Sequence, residues 1–310
     1  MTTDELMTEW IDKTARGRVK PRTLSRYRGL IDHHIHPVLG AREIGEVGRR
    51  QIADFLLDAA RGTREGTPVL SASSVNLLRS VLHGAFAYAC DMELLTHNPC
   101  ERIRRAQEPR GGTAAFSKEE QRLLESAILA SEDRRLFGVY LCLYSGLRIG
   151  ELIGLEWEDV DFTARVLRVT KTVYREQDES GTWRLYVDRP KTRSSERVIP
   201  LPGFLMARLR TYRRGRVGPY VVENADGTRM STRSYQYLFT RLTEAAGVRR
   251  LNFHALRHTF ATRALECGMD VKTLSELMGH TNASITLNRY CHSLTETKVR
   301  MMNKLEKIFS

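Results

Sequence analysis

Six polar side chains in the C-terminal two-thirds of this 310-residue chain carry its most specific chemistry: Arg148, Lys191, His254, Arg257, His280 and Tyr290. Two arginines, a lysine, two histidines and a tyrosine form the set needed to attack a phosphodiester with a protein hydroxyl and without a metal ion. Guanidiniums grip anionic oxygens with paired donors, and imidazoles titrate near neutral pH.

Each segment also has a plainer reading. In SGLRIGEL an apolar helix ends at Gly146 and another begins, which puts Arg148 in the junction with Glu151 one turn later. The guanidinium there either grips phosphate oxygens, with the carboxylate fixing its orientation, or belongs to a structural Arg–Glu pair; this segment alone favours the pair. In NFHALRHTFAT the residues Phe253, Leu256, Phe260 and Ala264 make an apolar stripe, with Asn252 as candidate N-cap, Gly268 closing the end, and His254 and Arg257 together at one edge. A metal site is the rival reading for His254, His258 and His280, but no acidic or Cys ligand accompanies them and Arg257 would repel a cation, so anion binding is favoured. Taken alone, His280 reads as a surface histidine just past a helix end at Gly279, and Tyr290 as a packed tyrosine. The cluster His33, His34 and His36 has one pair a turn apart and no acidic or thiol company in sequence, and reads as a helix end near DNA or solvent.

The elements that must position these residues fall in two blocks. Residues 1–105 read as four helices: one opens with Pro21 in its first turn and carries Leu24, Tyr27, Ile31 and Ile35 at helical spacing, and another runs over 74–90 with Val75, Leu78, Leu82, Ala85, Phe86 and Ala89 as its stripe. The first of these helices carries Lys20, Arg22, Arg26 and Arg28, a basic face that suits either solvent or a phosphate backbone. A stretch with a proline and two glycines marks a linker at 107–114. Beyond it, Ser117 and Glu120 form a capping box, 136–144 is an apolar helix stopped by Gly146, and 166–169, 183–187 and 197–200 read as three short strands. From Ser231 the chain is helical again. The expected fold class is mainly α with a small antiparallel β-sheet.

Composition bounds the partners. Lys and Arg (49) exceed Asp and Glu (37) for a net charge of +12, which favours a polyanion over a small neutral substrate but leaves a basic soluble enzyme equally open. The excess is 3 in residues 1–110 and 9 in 111–310, so it sits mostly with the six residues. Five widely spaced cysteines without a CxxC pair give neither a disulfide framework nor a zinc ribbon, which fits a reducing cytosol. The acidic, amphipathic N-terminus has no signal pattern, so cytoplasmic residence is the default.

The succession GLRIGEL, Lys191 in RPKTRSSERVIPL, HALRHTFAT, LMGH and NRYCH resembles the tyrosine recombinases, the phage-integrase family. The N-terminal VKPRTLSRYRGLIDHHIHPVLG is similar to that family's helical core-binding domain, so the resemblance covers nearly the whole chain. It implies a two-domain, C-shaped DNA clamp: a SAM-like core-binding domain at 1–106, a linker at 107–114 and a catalytic domain at 115–310. It also implies that Tyr290 attacks the scissile phosphate to give a 3′-phosphotyrosine and a free 5′-hydroxyl. Arg148 and Arg257 would hold the non-bridging oxygens, Lys191 protonate the departing 5′-oxygen, His254 and His280 supply hydrogen bonds and proton transfer, and Glu151 orient its neighbours. No metal or other cofactor is implied. The implied partners are double-stranded DNA attachment sites, three further copies of the chain in a tetramer on two sites, and a candidate directionality factor, with no membrane role.

The insert from Thr172 to Pro190 and the ten residues from His280 to Tyr290 look most like integrases of prophages and conjugative elements. No room is left for the arm-binding domain that many such integrases place in front, so the chain either works without arm sites or is a truncated form. The rivals are a resolvase or invertase of the same chemistry, a type IB topoisomerase, a catalytically silent DNA-binding protein and a metal-dependent nuclease. The amphipathic segment 299–309 is expected to dock on a neighbouring protomer.

Overall fold

The computed structural model describes residues 1–19, 21–62, 69–107, 114–177, 181–188, 196–216, 218–280, 282, 284, 302 and 303. Chain contacts divide into two compact units, Met1–Arg110 and Gly111–Ser310. Lys191, Tyr290, Lys20, most of the linker stretch and nearly all of 299–310 lie outside the described residues.

The first unit is helical. Thr2 accepts from the Glu5 amide while the Glu5 carboxylate accepts from the Thr2 amide, a reciprocal cap that starts α1 (Thr3–Trp10). The helix runs through a wider π turn at Ile11–Ala15 into α2 (Arg16–Arg18). A second stretch repeats this design: α3 (Pro21–Leu30), a π turn at Ile31–Ile35, then α4 (His36–Leu39). Two regular helices follow, α5 (Arg49–Arg61) and α6 (Ala72–Asp91), the latter capped by the Ser71 hydroxyl. Leu24, Ile31 and Ile35 enter the core as their spacing predicts, and so do all six stripe residues of α6. Tyr27 stacks on Trp10, with ring centroids 5.7 Å apart. His36 does have an acidic partner, because folding brings Asp4 of α1 to its ring.

In the second unit, α7 (Lys118–Ala130) starts on the Ser117–Glu120 capping box. The central element is α8 (Phe137–Ser145), buried on nearly every side, which ends at Gly146 in the left-handed conformation and is followed by α9 (Ile149–Gly154). Side chains of α8 and α9 pack with Leu167, Leu205, Phe239 and Leu256 in one core. The strands are β1 (Val160–Asp161), β2 (Val166–Val169), β3 (Thr172–Gln177), β4 (Trp183–Asp188) and β5 (Arg197–Pro200). Helices α10 (Gly203–Arg213), α11 (Thr232–Ala245), α12 (His254–Glu266) and α13 (Val271–Met278) complete the unit.

The fold is mainly α with small antiparallel sheets, but there are two of these among the described residues: β1-β2-β5 and the separate hairpin β3-β4. The expected strand at 183–187 therefore pairs with β3, in a segment whose sequence does not mark it as a strand, and not with 166–169 or 197–200. Only Val173 of β3 is buried, so the strand lacks the alternation that announces one from sequence. No described helix is long and apolar enough to cross a membrane.

Candidate active site

The site is built where α8 hands over to α9 and where α13 ends. Gly146 makes the turn with φ of 66°, and a Cβ there would come within 2.5 Å of the Phe260 ring, so the position demands glycine for both conformation and space. Gly150 lets α9 lie against β3, where a Cβ would stand 2.7 Å from the Val173 carbonyl oxygen. These two glycines hold Arg148 at the mouth of the junction.

Glu151 is the hub. Its side chain is 4% exposed, and its carboxylate accepts from the Arg148 amide (2.8 Å) and Arg148 Nη1 (2.7 Å). It also accepts from Arg197 Nη1 (3.0 Å) and Nη2 (2.9 Å). Burial pushes the carboxyl up, but the hydrogen bonds and charge of Arg197, aided by Arg148, overcome this and bring its pKa down to about 2. Glu151 is thus an anion at any working pH, and the expected Arg148–Glu151 pair exists with a third member, Arg197.

Three guanidiniums converge on the last turn of α13. Arg197 Nε donates to the Leu277 carbonyl (2.6 Å), Arg257 Nη2 donates to that of Met278, and Arg148 Nη2 donates to that of Gly279 (3.2 Å). Terminal carbonyls of a helix lack intrahelical partners and carry its negative dipole end, so they attract cations. His280 is the next residue, half-buried, its amide bonded to the Ser275 carbonyl. Arg257 also donates to the Gly146 carbonyl (2.8 Å), tying α12 to the α8–α9 turn. Three cations against one carboxylate leave the cluster net positive, which suits an anion.

Arg257 is not at the edge of a stripe as the spacing suggested. It is 1% exposed, because α12 is covered on more than one face and Ala255, His258, Thr259 and Ala261 are buried too. Nor does the Asn252 side chain cap α12: the N-cap is Phe253, and Asn252 contributes its carbonyl, which accepts from the Ala255 amide. His254 stands exposed at the first position of α12, its ring edge-on to that of buried His258 at 4.6 Å and 89°.

The structure therefore brings Arg148, Glu151 and Arg257 to one helix end directly before His280, and places His254 one turn before Arg257. Arg22, Arg26 and Arg28 are exposed on α3, with the Arg28 guanidinium 4.0 Å from the Asp12 carboxylate. Sequence reasoning missed Arg197. Its only local sign is a lone arginine at the start of a short strand, two residues after Ser195 in the RPKTRSSERVIPL segment.

Comparison with known proteins identifies the family. Residues 116–297 match the Phage integrase family, and residues 2–57 match the Phage integrase, N-terminal SAM-like domain. A XerC-like tyrosine recombinase of Caldanaerobacter subterraneus subsp. tengcongensis is 30% identical over 341 residues, spanning 100% of this chain and 84% of that protein. The ICEBs1 integrase of Bacillus subtilis is 25% identical across 93% of this chain and 78% of its own. The Tn1549 transposon integrase, solved in complex with a circular intermediate DNA, superposes with a TM-score of 0.80 at 26% identity, covering 98% of this chain and 99% of the other. The family matches, with the helical fold and its small sheets, define a DNA strand-exchange enzyme of the tyrosine type. This chain belongs to the phage integrase family, the tyrosine recombinases, which carry out site-specific DNA recombination.

Proposed function

We propose that this protein is the integrase of a mobile element, cutting and rejoining double-stranded DNA at attachment sites through a 3′-phosphotyrosine at Tyr290. The observation that carries this reading is that Arg148 and Arg257 donate to the carbonyls of Gly279 and Met278, adjacent acceptors directly before His280. Two guanidiniums already gathered on neighbouring oxygens are arranged to meet the two non-bridging oxygens of a phosphate, a stronger acceptor than a carbonyl.

In this reading Tyr290 Oη attacks phosphorus, the bond from phosphorus to the 5′-oxygen breaks, and Lys191 gives that oxygen its proton. His254 and His280 bond to the phosphoryl group and move the proton released by Tyr290. Arg148 and Arg257 stabilise the charge that grows on the non-bridging oxygens, each worth about 100- to 1,000-fold in rate by analogy with a removed oxyanion donor. The covalent link conserves the bond energy, so a second 5′-hydroxyl reverses the step on a new partner strand without ATP. The chemistry asks for no metal because the guanidiniums supply its positive charge.

Residues 1–106 make up the core-binding domain, with Lys20, Arg22, Arg26 and Arg28 on the DNA backbone, and residues 115–310 the catalytic domain. Four copies act on two sites in the cytoplasm, with a directionality factor choosing between integration and excision. DNA binding then weakens steeply with salt as counterions are released; an affinity flat across a salt titration would contradict the backbone contacts.

The match to the XerC-like relative covers the whole chain, which favours a Xer-like resolvase of the same chemistry as the second reading. The test is to mix the protein with DNA from the two flanks of its own gene in EDTA. Recombinant junctions formed by wild type and not by Tyr290→Phe support the integrase. Resolution of directly repeated sites alone supports the second reading, and plasmid relaxation without site preference supports neither.

A further inference from the structure

We propose that Arg197 is a positioning residue for strand cleavage, holding Glu151 and the last turn of α13 so that Arg148, Arg257 and His280 address one phosphate. The proposal rests on the phosphotyrosine reading and assigns a task to a side chain outside the six.

All three faces of this guanidinium are used. Its fork meets the Glu151 carboxylate through Nη1 and Nη2, and its Nε reaches the Leu277 carbonyl. The side chain is only 5% exposed. A lysine can satisfy one of these acceptors as a point charge, but it cannot span a carboxylate in two parallel bonds and a carbonyl at the same time.

What Arg197 holds matters more than its own burial. Glu151 accepts four bonds, two from Arg148 and two from Arg197, which fills the acceptor positions of a carboxylate. If a DNA phosphate draws the Arg148 guanidinium off the Gly279 carbonyl, Arg197 still balances the buried Glu151 charge, and Glu151 still aims Arg148. Arg197 also begins β5, which packs on α13, and it follows Lys191 by six residues. One side chain therefore couples the strand leading from the general acid to the helix end that presents His280.

The test uses full-length protein and a nicked duplex that traps the covalent adduct, with cleavage measured in a single turnover at saturating protein. Arg197→Lys should keep a cooperative thermal melt and DNA affinity within about threefold of wild type. Its cleavage rate should fall about 100-fold, the scale of a displacement of about 1 Å in a catalytic group. Combined with Glu151→Gln, it should be no slower than the worse single variant within about threefold, because the two side chains position one cluster through the bonds they share. A substrate with sulfur as the 5′ leaving atom, which needs no proton, should rescue Lys191→Ala and leave Arg197→Lys slow.

A cleavage rate within about threefold of wild type overturns the proposal, as does a loss explained by weaker binding or an additive double variant. Should Arg197→Lys lose its cooperative melt, Arg197→Gln, which keeps an amide donor for the Leu277 carbonyl, is measured the same way: slow cleavage with binding retained supports the proposal, and a rate near wild type overturns it. If wild type forms no adduct, or Tyr290→Phe forms one, the phosphotyrosine reading fails instead.

Discussion

Two carboxylates in the second unit each sit between two cations, and they serve different ends. Glu151 lies between Arg148 and Arg197, almost sealed from solvent. Glu156 lies between Lys171 Nζ (2.7 Å) and Arg229 Nη2 (2.8 Å), 19% exposed, with Glu158 and Asp159 also reaching Lys171. Both are held below the usual carboxylate range. At Glu156, as at Glu151, burial pushes upward and is overcome, here by Lys171 and Arg229. The Glu156 network ends on its own partners and ties the turn before β1 to Lys171 and Arg229. The Glu151 network ends, through Arg197 and Arg148, on the carbonyls of Leu277 and Gly279, either side of the one that Arg257 holds and directly before His280. An ion pair becomes part of a catalytic site through where its second partner points, and burial then decides how much its loss costs.

The largest expected effect lies in the cluster itself. Arg257→Lys should slow single-turnover cleavage about 100- to 1,000-fold while keeping a folded protein; a rate near wild type would show that its two carbonyl contacts are its whole task. Next, Glu151→Ala should lower stability in urea by about 3–5 kcal/mol, because it leaves buried Arg197 uncompensated. Glu156→Ala should cost about 1 kcal/mol, since that carboxylate is itself partly open to water and its more buried partner, Arg229, is less sealed than Arg197. Equal losses would erase the distinction.

The pH dependence sharpens the contrast. The Glu151 carboxyl titrates at about 2 when folded against an ordinary 4.5, so its stabilisation is present above 4.5 and lost as pH falls toward 2. The stability gap between wild type and Glu151→Gln should be widest near neutrality and shrink between pH 5 and about 2; a gap that widens in acid would reverse the assigned sign. The smallest effect belongs to Lys171→Met, which should leave cleavage within about twofold while lowering stability by about 1 kcal/mol or less.

Local signals were legible in the chain. Ser117 with Glu120, Gly146 and Gly279 mark helix ends through their own backbone chemistry, and the Arg148–Glu151 pair follows from one-turn spacing. What was hidden depends on distance in sequence. Arg197 meets Glu151 across 46 residues, and nothing in a four-residue strand announces that its first side chain turns into the site. Arg257 looked like an edge residue because an apolar stripe shows one buried face, whereas α12 is packed on several. β3 escaped notice because its Thr, Arg, Glu and Gln residues give no alternation, and its pairing with β4 supplies what its sequence lacks. Lys191 and Tyr290 fall outside the described residues, so their places rest on the motif succession.

The nucleophile is identified by trapping the adduct on a nicked duplex in EDTA, digesting it and mapping the DNA-linked peptide by mass spectrometry. The expected result is a single linkage, through a 3′-phosphate to Tyr290. A stable link at any other of the eleven tyrosines, or at a 5′-phosphate, would contradict it.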